Sequence, residues 1–208
     1  MTGRFLVLEG GEACGKSTQA ARLAGALDAV LTREPGGTDL GGRVRALLLD
    51  PATGALDPRT EALMMIADRA QHVAEVIGPA LAAGRHVVSD RHVGSTIAYQ
   101  GGGRGLDADE LQEVSDWAAA GCRPDLVLLL DVPVEVAHAR LRGARDRLER
   151  EDRGFHRRVR ASFLAQAAAD PGRWAVIDAA AGPDDVWEKV GAVVAERLGI
   201  DVSRSPAS

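Results

Sequence analysis

Short apolar runs alternate along this chain with longer stretches of helical period. Phe5-Leu6-Val7-Leu8 is the first run, and residues 29–32, 86–90, 126–131 and 174–178 follow it. Most are rich in Val, Leu or Ile without polar alternation, the pattern of strands covered on both faces by helices. Between them, apolar positions recur every three or four residues. The clearest stretch spans residues 58–83, where Ala62, Leu63, Ile66, Ala67, Ala70, Val73, Ala74 and Ile77 form one stripe. Asp57-Pro58 supplies its N-cap and first turn, and Gly84 its stop. A second helix is expected over residues 183–198, with Val186, Val190, Val193 and Val194 on one face and Gly199 closing it. This alternation predicts an α/β fold, a five-stranded parallel sheet flanked by helices with right-handed crossovers. Residues 1–199 are expected to form a single domain and residues 200–208 a frayed tail.

Composition narrows the setting. No apolar stretch approaches a membrane span, and the N-terminus lacks the layout of a signal peptide. Cys14 and Cys122 are too few for a disulfide scaffold, so a reduced, cytoplasmic protein without a membrane partner is expected. The five histidines lack metal-ligand spacing, which excludes a structural zinc from the expectation. A net charge of −5 argues against a nucleic-acid coat, so no nucleic-acid partner is expected. One segment breaks the balance: residues 140–160 hold nine arginines against four acids. Alone it reads equally as a solvated helical face or as a phosphate clamp.

The chemistry begins directly after the first run. Gly10-Gly11-Glu12-Ala13-Cys14-Gly15-Lys16-Ser17, between a strand and a helix, has the spacing of a phosphate-binding loop. Glycines permit the tight wrap, and successive backbone N–H groups converge on phosphate at a helix N-terminus. The triphosphate site is therefore placed on Gly10, Gly11, Glu12, Ala13, Cys14, Gly15, Lys16, Ser17 and Thr18. Lys16 reaches the outer phosphates, and the Ser17 hydroxyl is a ligand for Mg2+. Such a loop serves kinases, GTPases, motors and switches alike. The chain lacks an Asn-Lys-x-Asp guanine signature, which counts against a GTPase.

Asp90 and Arg91 follow the third predicted strand, on the side where α/β sheets place their sites. Arg91 suits bidentate contact with an acceptor phosphate. Asp90 suits a metal ligand acting through water, or a cap for the next helix. Cys14 is open between an oxidation-sensitive thiol and a small packing residue. Two glycine-rich segments, Pro35-Gly36-Gly37 and Gly101-Gly102-Gly103-Arg104-Gly105, read as loops near the site.

Val88-Ser89-Asp90-Arg91-His92-Val93-Gly94-Ser95-Thr96-Ile97-Ala98-Tyr99-Gln100 resembles the signature of the thymidylate kinase family. Thr32-Arg33-Glu34-Pro35-Gly36-Gly37-Thr38, Asp68-Arg69, Arg123-Pro124-Asp125 and Asp146-Arg147-Leu148-Glu149 are similar to further motifs of its bacterial members, in the same order. The resemblance implies a P-loop kinase that uses ATP and Mg2+ to convert dTMP to dTDP for dTTP synthesis, as a homodimer. It implies that Arg69 contacts the thymine ring, with Thr96 and Gln100 on the base edge. Tyr99 would lie against the deoxyribose, although a single tyrosine also serves as core. Glu9, Glu34 and Arg45 would surround the sugar and phosphate. The loop carries no basic residue before Lys16, and such members supply one from an arginine-rich lid, here about residues 142–155. Arg147, and next Arg142, would join Lys16 and Arg91 as catalytic groups.

Three positions depart from the family pattern. Ala13 stands where glycine is usual, Cys14 where alanine or serine is usual, and Met65 where a phenylalanine would stack on thymine. The last opens an alternative, a kinase acting on other pyrimidine monophosphates such as dUMP. A nucleotide-binding regulator without transfer activity is the other alternative, and the presence of Lys16, Ser17, Asp90 and Arg91 argues against it.

Overall fold

The computed structural model describes residues 3–141 and 143–202. Its sheet contains β1 (Phe5–Glu9), β2 (Val30–Arg33), β3 (Val87–Asp90), β4 (Leu126–Asp131) and β5 (Trp174–Asp178). All pairings are parallel, in the order β2-β3-β1-β4-β5. The five predicted runs thus become the five strands, within one residue at their ends.

A strand's period of two divides the core between the faces. Leu6 and Leu8 of β1, with Leu126, Leu128 and Leu130 of β4, pack toward α1 (Lys16–Leu27) and α9 (Pro183–Leu198). Phe5, Val7 and Val127 point the other way, onto Val73, Ile77 and Ala80. Burial on both faces holds for β1 but not for the edges, where Leu31 of β2 and Val176 of β5 are about half exposed.

The stretch expected as one helix is α3 (Pro58–His72), a π-helical turn (Val73–Ile77) and α4 (Gly78–Ala82). Pro79 has no N–H to give the Glu75 carbonyl and its ring crowds that oxygen, so the ladder widens just before it. Asp57 caps α3 as expected, its carboxylate accepting from the N–H of Arg59 at 2.9 Å. Leu63, placed on the inward stripe by periodicity, is 60% exposed.

The remaining helices are α2 (Asp39–Leu49), α5 (Val93–Thr96), α6 (Ala108–Ala118), α7 (Val134–Arg140) and α8 (Arg153–Ala169). Gly101, Gly102 and Gly103, expected as loop, belong to a π-helical segment (Ile97–Gly103) that continues α5. A Cβ on Gly103 would lie 2.5 Å from the Phe155 ring, and one on Gly102 would lie 2.7 Å from Ser162 Cβ. These glycines let α8 approach the segment's backbone, a requirement invisible without the neighbouring helix. The tail also differs from expectation: Val202 is buried in the α1/α9 core, while residues 203–208 lie outside those described.

Candidate active site

β1 delivers its carboxyl end straight into the phosphate loop. A Cβ on Gly10 would lie 2.5 Å from the Leu130 carbonyl, so β4 runs too close to the loop for any side chain there. Gly10, Ala13 and Gly15 all have positive φ. Ala13, at φ 52°, therefore adopts the left-handed conformation that its side chain disfavours. Lys16 folds back over the loop, Nζ donating to the Gly11 carbonyl at 2.5 Å. Cys14 is buried in the α1/α9 core with Sγ 3.5 Å from Lys16 Nζ, which supports its packing role.

Ser17 Oγ donates to Asp90 Oδ2 at 2.6 Å, joining the start of α1 to the end of β3. A hydroxyl and a carboxylate beside phosphate-binding amides suit magnesium, which favours oxygen ligands and retains waters and substrate phosphates in its shell. Among the described residues, no cluster of three or more His, Cys, Asp or Glu forms a separate metal cage.

Two clefts adjoin here. The first, of about 300 Å³, runs over the phosphate loop from Glu12 to Thr18 and reaches Asp90. The second lies between the Pro35 turn, α3 and the segment after β3, and is walled by Met65, Arg69, Thr96, Tyr99 and Gln100. Glu12, Glu34, Arg45 and Arg91 line both. Arg33, named in the sequence only as part of a motif, lines the first cleft. Arg45 and Arg91 stand at the junction with Arg33 in the adjoining first cleft, and burial, then the charges of Arg33 and Arg91, lower the Arg45 pKa. Such a concentration of positive charge suits phosphate.

At that junction Arg91 is held from four sides. Nη1 donates to the Gly10 carbonyl at 2.9 Å and to Ser95 Oγ at 3.0 Å. Nη2 donates to Glu12 Oε1 at 2.8 Å and to Tyr99 Oη at 3.1 Å. Tyr99 Oη donates to the same Glu12 oxygen at 2.5 Å, and its ring packs near Phe155 and Phe163. Tyr99 is thus part of the core and also lines the second cleft. Burial raises the Glu12 carboxyl, but Arg91 and Lys16 outweigh it and bring it to about 2.

α3 presents a stripe of polar groups to the interior. Glu61, Met65, Asp68, Arg69 and His72 recur at helical spacing, and Glu61, Asp68, Arg69 and His72 are buried. Arg69 Nε donates to Glu34 Oε2 at 2.9 Å, and Nη2 to Thr96 Oγ1 at 3.0 Å. Glu34 Oε1 also meets Nδ1 of His72 at 2.9 Å and of His92 at 2.8 Å. Burial raises the Glu34 carboxyl, yet Arg69 and His92 hold it well below its ordinary range. Asp68 Oδ1 accepts from the Gly36 N–H at 3.0 Å and fixes the Pro35 turn.

Two expected site residues are placed differently. Glu9 lines neither cleft. Its carboxylate accepts from the backbone N–H groups of His92 and Ser95 and from Ser95 Oγ, holding the segment after β3. Arg147 does not face the phosphate loop: Nε donates to the Leu48 carbonyl at 2.8 Å and Nη2 to Glu61 Oε2 at 2.5 Å. Its guanidinium answers the buried Glu61 carboxylate, which the sequence reading did not single out. The signal that would have found Glu61 is its place one helical turn before Met65 and two before Arg69. Arg142 lies outside the described residues.

A parallel sheet in this order, a phosphate loop at the end of its central strand and an adjoining polar cleft define a P-loop kinase. Residues 8–190 match the family described as thymidylate kinase. The chain belongs to the thymidylate kinase family. A curated thymidylate kinase of Solidesulfovibrio magneticus is 50% identical over 208 residues, covering 93% of this chain and 100% of the relative. One from Neisseria meningitidis is 46% identical, covering 96% and 100% respectively. The crystal structure of thymidylate kinase from Ehrlichia chaffeensis superposes with a TM-score of 0.78 at 34% identity, covering 93% of this chain and 99% of that one.

Proposed function

We propose that this chain transfers the γ-phosphoryl group of ATP to the phosphate of dTMP, giving ADP and dTDP. The observation that carries the reading is the pair of clefts sharing Glu12, Glu34, Arg45 and Arg91, because a phosphoryl group must pass between two such sites. Family membership supplies the acceptor's identity.

The acceptor is already an anion at neutral pH, so the protein's work is positioning and charge neutralisation. The loop amides and Lys16 hold the donor phosphates. Ser17, and Asp90 through water, would hold magnesium, which would add positive charge against those phosphates. Arg91 leaves Glu12 for the acceptor phosphate, and Arg45 adds charge beside it. Arg69, Thr96 and Gln100 read the base, Met65 covers its face, Tyr99 faces the sugar, and Glu34 keeps Arg69 in place. A lid over residues 142–155 brings an arginine to the transferred group, from Arg142 or from Arg147 once it releases Glu61. Residues 1–199 act as one kinase domain.

We further propose a homodimer acting in the cytoplasm on free nucleotides. Leu63 of α3 and Val114 of α6 line one groove and are 60% and 39% exposed, and Trp117, one turn after Val114 on α6, is 80% exposed, an apolar face suited to a second copy. No helix among the described residues is long and apolar enough to cross a membrane. Sedimentation should give about twice the chain mass, and Trp117→Glu should reduce it to one.

The deciding experiment is a coupled ADP-release assay with dTMP, dUMP, UMP, CMP, AMP and GMP. Preference for dTMP supports the proposal, comparable rates with dUMP favour the broader pyrimidine kinase suggested by Met65, and no transfer to any acceptor leaves a nucleotide-binding regulator.

A further inference from the structure

Gln100 is 1% exposed, and its Nε2 donates to Glu61 Oε1 at 2.8 Å. Its Oε1 is buried with no partner among the described residues. A glutamine amide offers donors at one end and an acceptor at the other, and its neighbours set which end points where. Here the neighbour is decisive. An ionised carboxylate only accepts, so Glu61 admits the nitrogen end and turns the oxygen away. Glu61 is fully buried yet kept ionised: burial raises its carboxyl, but hydrogen bonds from Arg104, Gln100 and Arg147 outweigh this and lower it. Arg104 donates to it through Nε at 3.2 Å and Nη2 at 3.1 Å, and Arg147 holds it from the lid side.

We infer that Glu61 is a positioning residue that locks the Gln100 amide with its oxygen free in the wall of the acceptor cleft, so that the enzyme accepts thymine or uracil and rejects cytosine. The inference rests on the reading of that cleft as the dTMP site. Thymine and uracil present a carbonyl acceptor beside an N3–H donor, and cytosine presents an amino donor beside an N3 acceptor. Arg69 offers only donors, and the locked Gln100 offers an acceptor. Thymine and uracil satisfy both groups. Cytosine sets donor against donor and acceptor against acceptor, and mispaired buried polar groups are what a site rejects most strongly. Glu61 touches no substrate; it acts through Gln100. Because Arg147 shares the same carboxylate, the lid and the base-reading amide are tied to one group.

The test is Glu61→Gln, whose amide pairs with Gln100 in either orientation and so permits the flip. We expect the dCMP:dTMP ratio of kcat/KM to rise roughly tenfold or more, with the dUMP:dTMP ratio unchanged because uracil and thymine share the edge being read. Glu61→Asp keeps the charge for Arg104 and Arg147 but withdraws from Gln100. It should move the ratio in the same direction and carries the test if Glu61→Gln fails to fold. In a Gln100→Met background, Glu61→Gln should leave the dCMP:dTMP ratio where Gln100→Met put it. Equal losses with all three acceptors, or a ratio within about twofold of native in the folded variants, would make Glu61 a structural residue and overturn the inference. A native chain that transfers nothing to dTMP overturns the functional reading instead, and the inference with it.

Discussion

Arg91 Nη2 lies 2.8 Å from Glu12 Oε1, so the phosphate loop's own carboxylate holds the arginine proposed to take the acceptor phosphate. Glu12 and Arg91 both line the two clefts, and the pair stands where the transferred group would pass. Lysine at position 91 would keep one charge but not the fork that spans Gly10, Ser95, Glu12 and Tyr99. Arg91→Lys is expected to lower kcat/KM for dTMP by on the order of a hundredfold with little change in KM for ATP. Equal losses for both substrates would place Arg91 in general packing instead.

Arg147 braces Glu61 and the end of α2. Removing it leaves a buried carboxylate with Arg104 and Gln100 as its remaining partners. Arg147→Ala should therefore reduce unfolding free energy by about 1–3 kcal/mol and raise KM for dTMP. Chemical denaturation and steady-state kinetics together give the answer. A fall in kcat on the order of a hundredfold with stability untouched would make Arg147 an arginine finger and nothing more.

Glu9 gives a pH signature. Burial pushes its carboxyl from an ordinary 4.5 up to about 7 on folding, against the opposing hydrogen bonds from Ser95 and the charge of Arg91. Between those values the folded chain binds the extra proton. The stability tied to this group is full below the lower value, falls as pH rises through the folded value, and is then flat. Glu9→Gln mimics the protonated form, so its stability relative to native should rise by roughly 1–3 kcal/mol from acid to mildly alkaline pH. Urea midpoints that run parallel across this window would contradict the assignment.

Ala13 carries backbone strain that glycine would not. At φ 52° its Cβ crowds the backbone, at a cost of about 1 kcal/mol. Ala13→Gly should raise the melting temperature slightly, the gain partly offset by the freer unfolded chain. A lower melting temperature would mean that the alanine methyl contributes packing worth more than the strain.

Met65 lines the acceptor cleft and packs with the cluster around Leu148 and Phe155. A flat ring there should cover a pyrimidine face more rigidly than a thioether does. Met65→Phe is expected to lower KM for dTMP about three- to tenfold at unchanged kcat. No gain would show that the cluster holds the methionine as firmly as it would a ring.

Much of the site was legible early because its signals are local. The phosphate loop depends on glycine spacing, and Asp90 and Arg91 on their position at a strand's end. Arg69, Thr96, Tyr99 and Gln100 came from the family resemblance, and all four do wall one cleft. Glu61 was missed although its spacing from Met65 and Arg69 was available. A buried acid on an amphipathic helix reads as solvated until its partners are known.

What the sequence determined by itself is the strands, the outer limits of two helical stretches and the chemistry attached to their ends: five strands, the stretch capped by Asp57, the final helix closed by Gly199, and the phosphate loop. These follow from periodicity and from residues within a few positions of one another. Tertiary structure decided which polar groups meet. Glu12 and Arg91 are 79 residues apart, and Glu61 and Arg147 are 86 apart. Only the packed sheet and helices bring such groups together, and only there does burial oblige each carboxylate to find a donor. That obligation turned Arg147 toward Glu61, tied Glu9 to the segment after β3, and left the Gln100 amide oxygen without a partner among the described residues.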